Sequence, residues 1–187
     1  MISNSVYKLL AKYGQTSSWA IWSAPKNGNW KSKDSIGDLS VFSNANICAQ
    51  QNDEYIFVGL NPSRKISSAP WSNFHSNDRY AQDYKLRYAL KDTKYWGSFM
   101  IDLYPDIVDV NSADAMGKAT SAATNISDLI QIWNILGEKA TVVAMGNEAW
   151  KVLRKILPAN IPLVKIKHYS ARVNIDDYRN TVLQQLP

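Results

Sequence analysis

Cysteine is all but missing from this 187-residue chain, where Cys48 stands alone. Intrachain disulfides and cysteine-built zinc sites are therefore excluded, and a reducing cytoplasm is the expected setting. Histidine is nearly as scarce, with only His75 and His168. Asp102, Asp106 and Asp109 lie close together, but no His-x-His or EF-hand spacing accompanies them, so no metal is expected. No apolar run approaches the roughly 18 residues of a membrane span, and Met1 to Lys8 lacks the layout of a signal peptide. A membrane partner is not expected. Also missing are Gly-x-Gly-x-x-Gly, a P-loop and Gly-x-Ser-x-Gly, which leaves dinucleotide, nucleoside-triphosphate and serine-hydrolase chemistry without support and calls for no cofactor.

What the chain does contain points to one compact, monomeric domain. Hydrophobic residues make up 45%, too many for a disordered chain. The length suits a single domain with a sizeable core. Seven tryptophans and ten tyrosines supply core and, in part, stacking surfaces. The formal charge of +5 permits a nucleic-acid partner.

The clearest feature is Tyr55-Ile-Phe-Val-Gly-Leu-Asn-Pro-Ser63. Tyr55 to Val58 is aromatic and β-branched with no polar face, which predicts a buried strand. Gly59 and Pro62 then punctuate the run, and Pro62 biases Asn61 away from helix. Asn61 is thus expected on a stiff turn just past the C-terminal end of a core strand, where open α/β sheets bind ligands. Further strands are predicted at Phe99–Leu103, Ala140–Met145 and Leu163–Ile166, with a short one at Leu39–Phe42. Trp19 to Trp22 reads as an edge strand or a flap. Helices are predicted at Ser5–Tyr13, Asp78–Leu90 (with Asp78 near its N-cap), Ser112–Ala119, Ser127–Leu136, Asn147–Leu157 and Asp176–Leu186.

Strands that are apolar on both faces and alternate with helices predict an α/β fold. Its expected form is a three-layer α/β/α arrangement around a four-stranded, mostly parallel sheet. Residues 1–54 read as an extension packed on a core of residues 55–187. Right-handed crossovers bring four loops to one sheet edge: Asn61–Asn77, Tyr104–Asn111, Gly146–Asn147 and Lys167–Asn174. His168 is expected on that edge, beside Tyr169, Ser170 and Arg172. His75, in the first loop, reads as a solvated histidine or as a second acid. Lys85, Arg87 and Lys91 read as a solvated helix face.

Taken together, Gly59-Leu-Asn-Pro-Ser63, Val142-Val-Ala-Met-Gly-Asn147 and His168-Tyr-Ser-Ala-Arg172 resemble the motifs of the uracil-DNA glycosylase superfamily. The first is most similar to the Gly-Ile-Asn-Pro-Gly form of the mismatch-specific uracil/thymine glycosylases. The resemblance implies hydrolysis of the N-glycosidic bond of a deaminated or damaged base flipped from DNA. By position, it gives Asn61 the attacking water and His168 a donor role towards the departing base. Ser170 and Arg172 would bind phosphate, and Trp71 or Phe74 would stack on the base. Asp102 lies near a base-reading position, and Gly59, Leu60, Pro62 and Ser63 would line the site. The chain departs from the family pattern where no Asp occupies the first motif, where Ser63 replaces Gly and where Tyr169 replaces Pro. Asparagine cannot deprotonate water at neutral pH. Two alternatives follow: a catalytically silent nucleic-acid-binding module, and a small-molecule hydrolase on the same scaffold.

Overall fold

The computed structural model describes residues 1–119 and 122–187. Its sheet contains β1 (Ser17–Trp19), β2 (Tyr55–Gly59), β3 (Phe99–Asp102), β4 (Thr141–Met145) and β5 (Leu163–Ile166), in the order β1-β3-β2-β4-β5. β2 to β5 form where the short apolar runs predict strands, and they pair in parallel. The expected four strands become five, because β1 adds to the edge antiparallel to β3, with Ser17 opposite Ile101 and Trp19 opposite Phe99. The strand reaches only Trp19 of the Trp19–Trp22 segment. Ile21 N–H turns back onto the Trp19 carbonyl at 2.7 Å and ends it.

Alternate strand residues face two cores. Ile56, Val58, Phe99, Ile101, Val142 and Ala144 pack on one side with Leu10, Leu129, Ile132, Ala149 and Leu153. These last come from α1 (Asn4–Leu10), α5 (Ala122–Ile135) and α6 (Asn147–Ile156). Tyr55, Phe57, Met100, Val143, Met145 and Ile166 pack on the other side with Leu86, Leu90, Tyr178 and Val182, from α3 (Asp83–Leu90) and α7 (Ile175–Gln185). Helices therefore cover both faces of an α/β sheet, as strands apolar on both sides require. Two short helices, α2 (Ile47–Gln50) and α4 (Ser112–Lys118), complete the set. No helix among the described residues is long and apolar enough to cross a membrane.

Three local expectations are corrected. Leu39 to Ser43 is a 3₁₀ helix rather than a strand, because the Asp38 carboxylate accepts from Ser40 N–H at 3.0 Å and starts a turn. α3 begins at Asp83, five residues later than expected. Asp78 spends its carboxylate on Tyr80 N–H at 2.7 Å, closing an Asx turn instead of capping the helix. Finally, Lys85 and Arg87 are buried rather than solvated. The Arg87 guanidinium donates to the carbonyls of Ser32 and Asp34, both at 2.7 Å. Lys85 Nζ donates to the carbonyls of Ala171 and Val173, both at 3.0 Å. Each cation satisfies loop carbonyls that no strand or helix could reach, and Lys85 thereby ties α3 to the loop that carries His168.

Candidate active site

The C-terminal ends of the parallel strands open into a cavity of about 540 Å³, within the size range of ligand sites. Leu60 and Asn61 line it from the turn after β2, Asp109 and Val110 from the loop after β3, Gly146 and Asn147 from the turn after β4, and His168 to Ser170 from the loop after β5. A smaller recess of about 290 Å³ adjoins it, lined among others by Pro62, Asn73, Phe74, His75 and Asp102. Ser63, Arg64, Ala81, Asp83 and Tyr169 line both. The two cavities thus lie side by side along the predicted edge, with these five residues between them.

Asn61 is built into its turn. Its Nδ2 lies 3.1 Å from the Pro62 carbonyl, 3.1 Å from that of Ile107 and 2.8 Å from that of Asp109. Carbonyls accept only, so they fix the amide orientation: the NH₂ group faces the backbone. Oδ1 is the side-chain atom left to take a hydrogen bond from a ligand or a water. The same contacts brace the β2 turn against the loop after β3, so Asn61 carries structural as well as site duty.

His168 has an equally defined state. Its Nδ1 accepts from Ser170 N–H at 3.1 Å, with Ser170 Oγ 2.8 Å away. A backbone N–H can only donate, so Nδ1 carries no proton and the neutral ring holds its proton on Nε2. Part of the ring remains open to the cleft, but surrounding protein desolvates it and lowers its pKa to about 4. At neutral pH His168 therefore offers an uncharged Nε2–H donor. Tyr169 stacks against it, with ring centroids 4.3 Å apart.

The turn after β4 has to be glycine for this loop to sit where it does. Gly146 has φ +93°, and a Cβ added there would lie 3.0 Å from His168 Cβ. Gly146→Ala is expected to cost about 1–3 kcal/mol and to displace the His168 loop. Urea unfolding checks the cost, and an unchanged midpoint would contradict it.

In the recess, Asp102 is only 4% exposed. Its register partner across the sheet is Gly59, and a Cβ on Gly59 would meet Asp102 Oδ1 at 2.1 Å. Gly59 therefore serves the site by making room for this carboxyl. Asp102 Oδ2 accepts from Asn73 Nδ2 at 3.0 Å. Burial, reinforced by the nearby Asp83 carboxyl, raises the Asp102 pKa to about 7 despite that hydrogen bond. Asp83, at the start of α3, accepts from Ser76 N–H at 2.9 Å, and burial raises it to about 6. The Tyr169 hydroxyl, desolvated and close to both carboxyls, stays protonated.

Phe74 walls the recess from a backbone at φ +63°, and Trp71 has φ +64°. Two bulky residues in the left-handed region mark this loop as strained, a feature that concentrates at binding sites. Only Phe74 reaches the cleft. Trp71 turns into the core against Tyr7, Trp19 and Phe99. His75 is buried rather than solvated. Its Nε2 lies 3.3 Å from the Trp19 carbonyl, and burial lowers its pKa to about 3.

Of the residues expected at the site, Asn61, His168, Leu60, Pro62, Ser63, Phe74, Asp102 and Ser170 come together around the cleft, with Gly59 behind Asp102. Ser170 holds the His168 ring. Arg172 is exposed and is not among the residues lining either cavity. Sequence reasoning missed Asp83 and Asn73, and placed Tyr169 on the edge beside His168 without a role. For Asp83 the sequence offers only an acidic residue inside the predicted Asp78–Leu90 helix. No protein-family model matches this chain, and no curated protein matches it.

Proposed function

We propose that this protein is an N-glycosyl hydrolase of the uracil-DNA glycosylase type, acting on a deaminated or damaged base taken out of DNA. The observation that carries the reading is the meeting of Asn61 and a neutral His168 on one cavity that adjoins a recess walled by Phe74 and Asp102. In this reading a flipped base enters the recess beside the Phe74 ring. Asn61 Oδ1 holds a water against the sugar carbon. As the glycosidic bond breaks, the bonding pair leaves with the base, and His168 Nε2–H donates to the atom where negative charge gathers. The water oxygen bonds to the sugar carbon and its surplus proton passes to solvent. Exposed Arg64 and Lys65 at the mouth suit a phosphate backbone.

A second reading, a silent base-binding module, is favoured by the absence of a carboxylate at position 61. A panel of single- and double-stranded oligonucleotides carrying uracil, hypoxanthine or an alkylated base separates the two. Alkali-labile abasic product from one of them is expected, with His168→Ala slowing its formation about 10²- to 10³-fold, the effect of losing one donor to developing charge. Binding without abasic product from any oligonucleotide supports the module, and undiminished release by His168→Ala removes the proposed role of that residue.

A further inference from the structure

Resting on the base-binding reading of this cleft, we infer that Ser18 and Trp22 are positioning residues for it. They hold the loop of Trp71 and Phe74 in its strained form, and with it the recess wall on which a base stacks. Trp71 and Phe74 have φ +64° and +63°, a conformation that bulky residues avoid and that persists only where the surroundings hold it. The carbonyl of each strained residue receives one buried side-chain donor from the N-terminal segment. Ser18 Oγ donates to the Trp71 carbonyl at 2.7 Å, and Trp22 Nε1 donates to the Phe74 carbonyl at 3.1 Å. Ser18 is fully buried and Trp22 is 2% exposed.

The carbonyls of the same segment complete the hold. Trp71 N–H donates to the Gly14 carbonyl at 2.6 Å, and Asn73 Nδ2 donates to that of Thr16 at 2.9 Å. His75 Nε2 faces the Trp19 carbonyl at 3.3 Å. Trp71, Asn73, Phe74 and His75 are thus all tied to residues 14–22. The segment that reads in the sequence as an extension therefore builds one wall of the recess. Asn73 also holds Asp102, so release of this loop moves Phe74 off the wall and lets water reach the Asp102 carboxyl.

Ser17 supplies the contrast. It precedes Ser18 on β1 and is equally buried. Its Oγ donates to the Tyr13 carbonyl at 2.6 Å, inside the N-terminal segment itself. Removing that hydroxyl loses a buried hydrogen bond of the same kind without touching the recess loop.

The test compares Ser18→Ala and Trp22→Phe with Ser17→Ala in the full chain. Trp22→Phe removes the N–H and keeps an aromatic ring on the His75 side, where the Trp22 ring now lies 5.2 Å away. Fluorescence anisotropy on ice gives the affinity for an oligonucleotide carrying uracil, hypoxanthine or an alkylated base, relative to the same sequence without it. Carboxyl ¹³C NMR follows the titration of Asp102, which lies at about 7 in the wild type. In Ser18→Ala and Trp22→Phe the preference for the altered base is expected to fall about 10-fold, the worth of one aromatic stack. Asp102 is expected to titrate about one pH unit or more lower as water reaches it. Ser17→Ala is expected to keep both values while losing as much resistance to urea as Ser18→Ala. Either readout unmoved in Ser18→Ala or in Trp22→Phe, or moved as far in Ser17→Ala, would overturn the inference. A wild type that prefers no altered base refutes the base-binding reading, and the inference with it. A wild-type preference that survives Ser18→Ala and Trp22→Phe refutes the inference alone.

Discussion

Asp102→Asn is expected to unfold at a higher urea concentration than the wild type at pH 8 and at nearly the same concentration at pH 4. The folded protein holds the Asp102 proton up to about pH 7 because the carboxyl is buried beside Asp83. The unfolded chain releases it near the ordinary value of 3.8. Between those values the folded state binds more protons, so stability falls as pH rises. The penalty is small near pH 4 and complete above pH 7, where it reaches about 4 kcal/mol at 1.36 kcal/mol per pKa unit. Asparagine keeps the acceptor for Asn73 and removes the charge. The raised Asp83 carboxyl lowers stability in the same direction in both proteins, and the comparison reads the Asp102 charge together with its repulsion from Asp83. Parallel pH profiles for the two would mean that Asp102 ionises without cost and that the recess is wetter than the structure makes it.

Asn61→Asp is expected to lose about 3 kcal/mol or more of stability at pH 7, although the side chains are nearly identical in shape. The substitution turns the NH₂ group into a carboxylate oxygen facing the carbonyls of Pro62, Ile107 and Asp109. Three acceptors would then surround a negative charge with no donor between them. Protonation restores one donor, so the loss should shrink at pH 4. Urea unfolding at the two pH values measures both effects, and an unchanged midpoint at pH 7 would contradict the bracing role of Asn61. The same geometry explains physically why Asp does not fit this turn, which needs a donor at position 61. It also means that Asn61→Ala removes three backbone contacts, so that variant reports on folding and on chemistry together, whereas His168→Ala leaves the bracing intact.

Much of this arrangement is legible in the sequence because it depends on local chemistry. Apolar runs bounded by Gly, Pro and Asn predict β2 to β5, and the rule that parallel strands present their C-terminal ends on one edge brings Asn61 and His168 together. What escapes is decided at long range. Lys85 and Arg87 carry the spacing of a solvated helix face, and only the carbonyls supplied by the loops at residues 23–34 and 171–173 reveal why they are buried. Trp71 and Phe74 are three residues apart in one loop and equally aromatic. Both sit on left-handed backbone, which propensity does not reveal, and long-range packing puts Trp71 in the core and Phe74 on the cleft. Asp83 was hidden by the Asx turn at Asp78, which delays α3 and turns an expected mid-helix acid into a helix-start residue on the cavity wall. Tyr169 is legible in the sequence as a neighbour of His168 on the edge and as a departure from the resembled motif, and its place near the two carboxyls follows from the loop geometry.

The proposed function turns on His168 standing in the cleft as a neutral Nε2–H donor. With two histidines in the chain, imidazole ¹⁵N NMR resolves both, and buried His75 serves as the internal reference. His168 is expected to keep the Nε2–H signature from pH 8 down to pH 5, since its pKa lies at about 4. Its resonances are expected to move on addition of an oligonucleotide carrying a damaged base, while those of His75 stay in place. A His168 that titrates near the ordinary value of 6.5 and does not respond to the oligonucleotide would contradict the account.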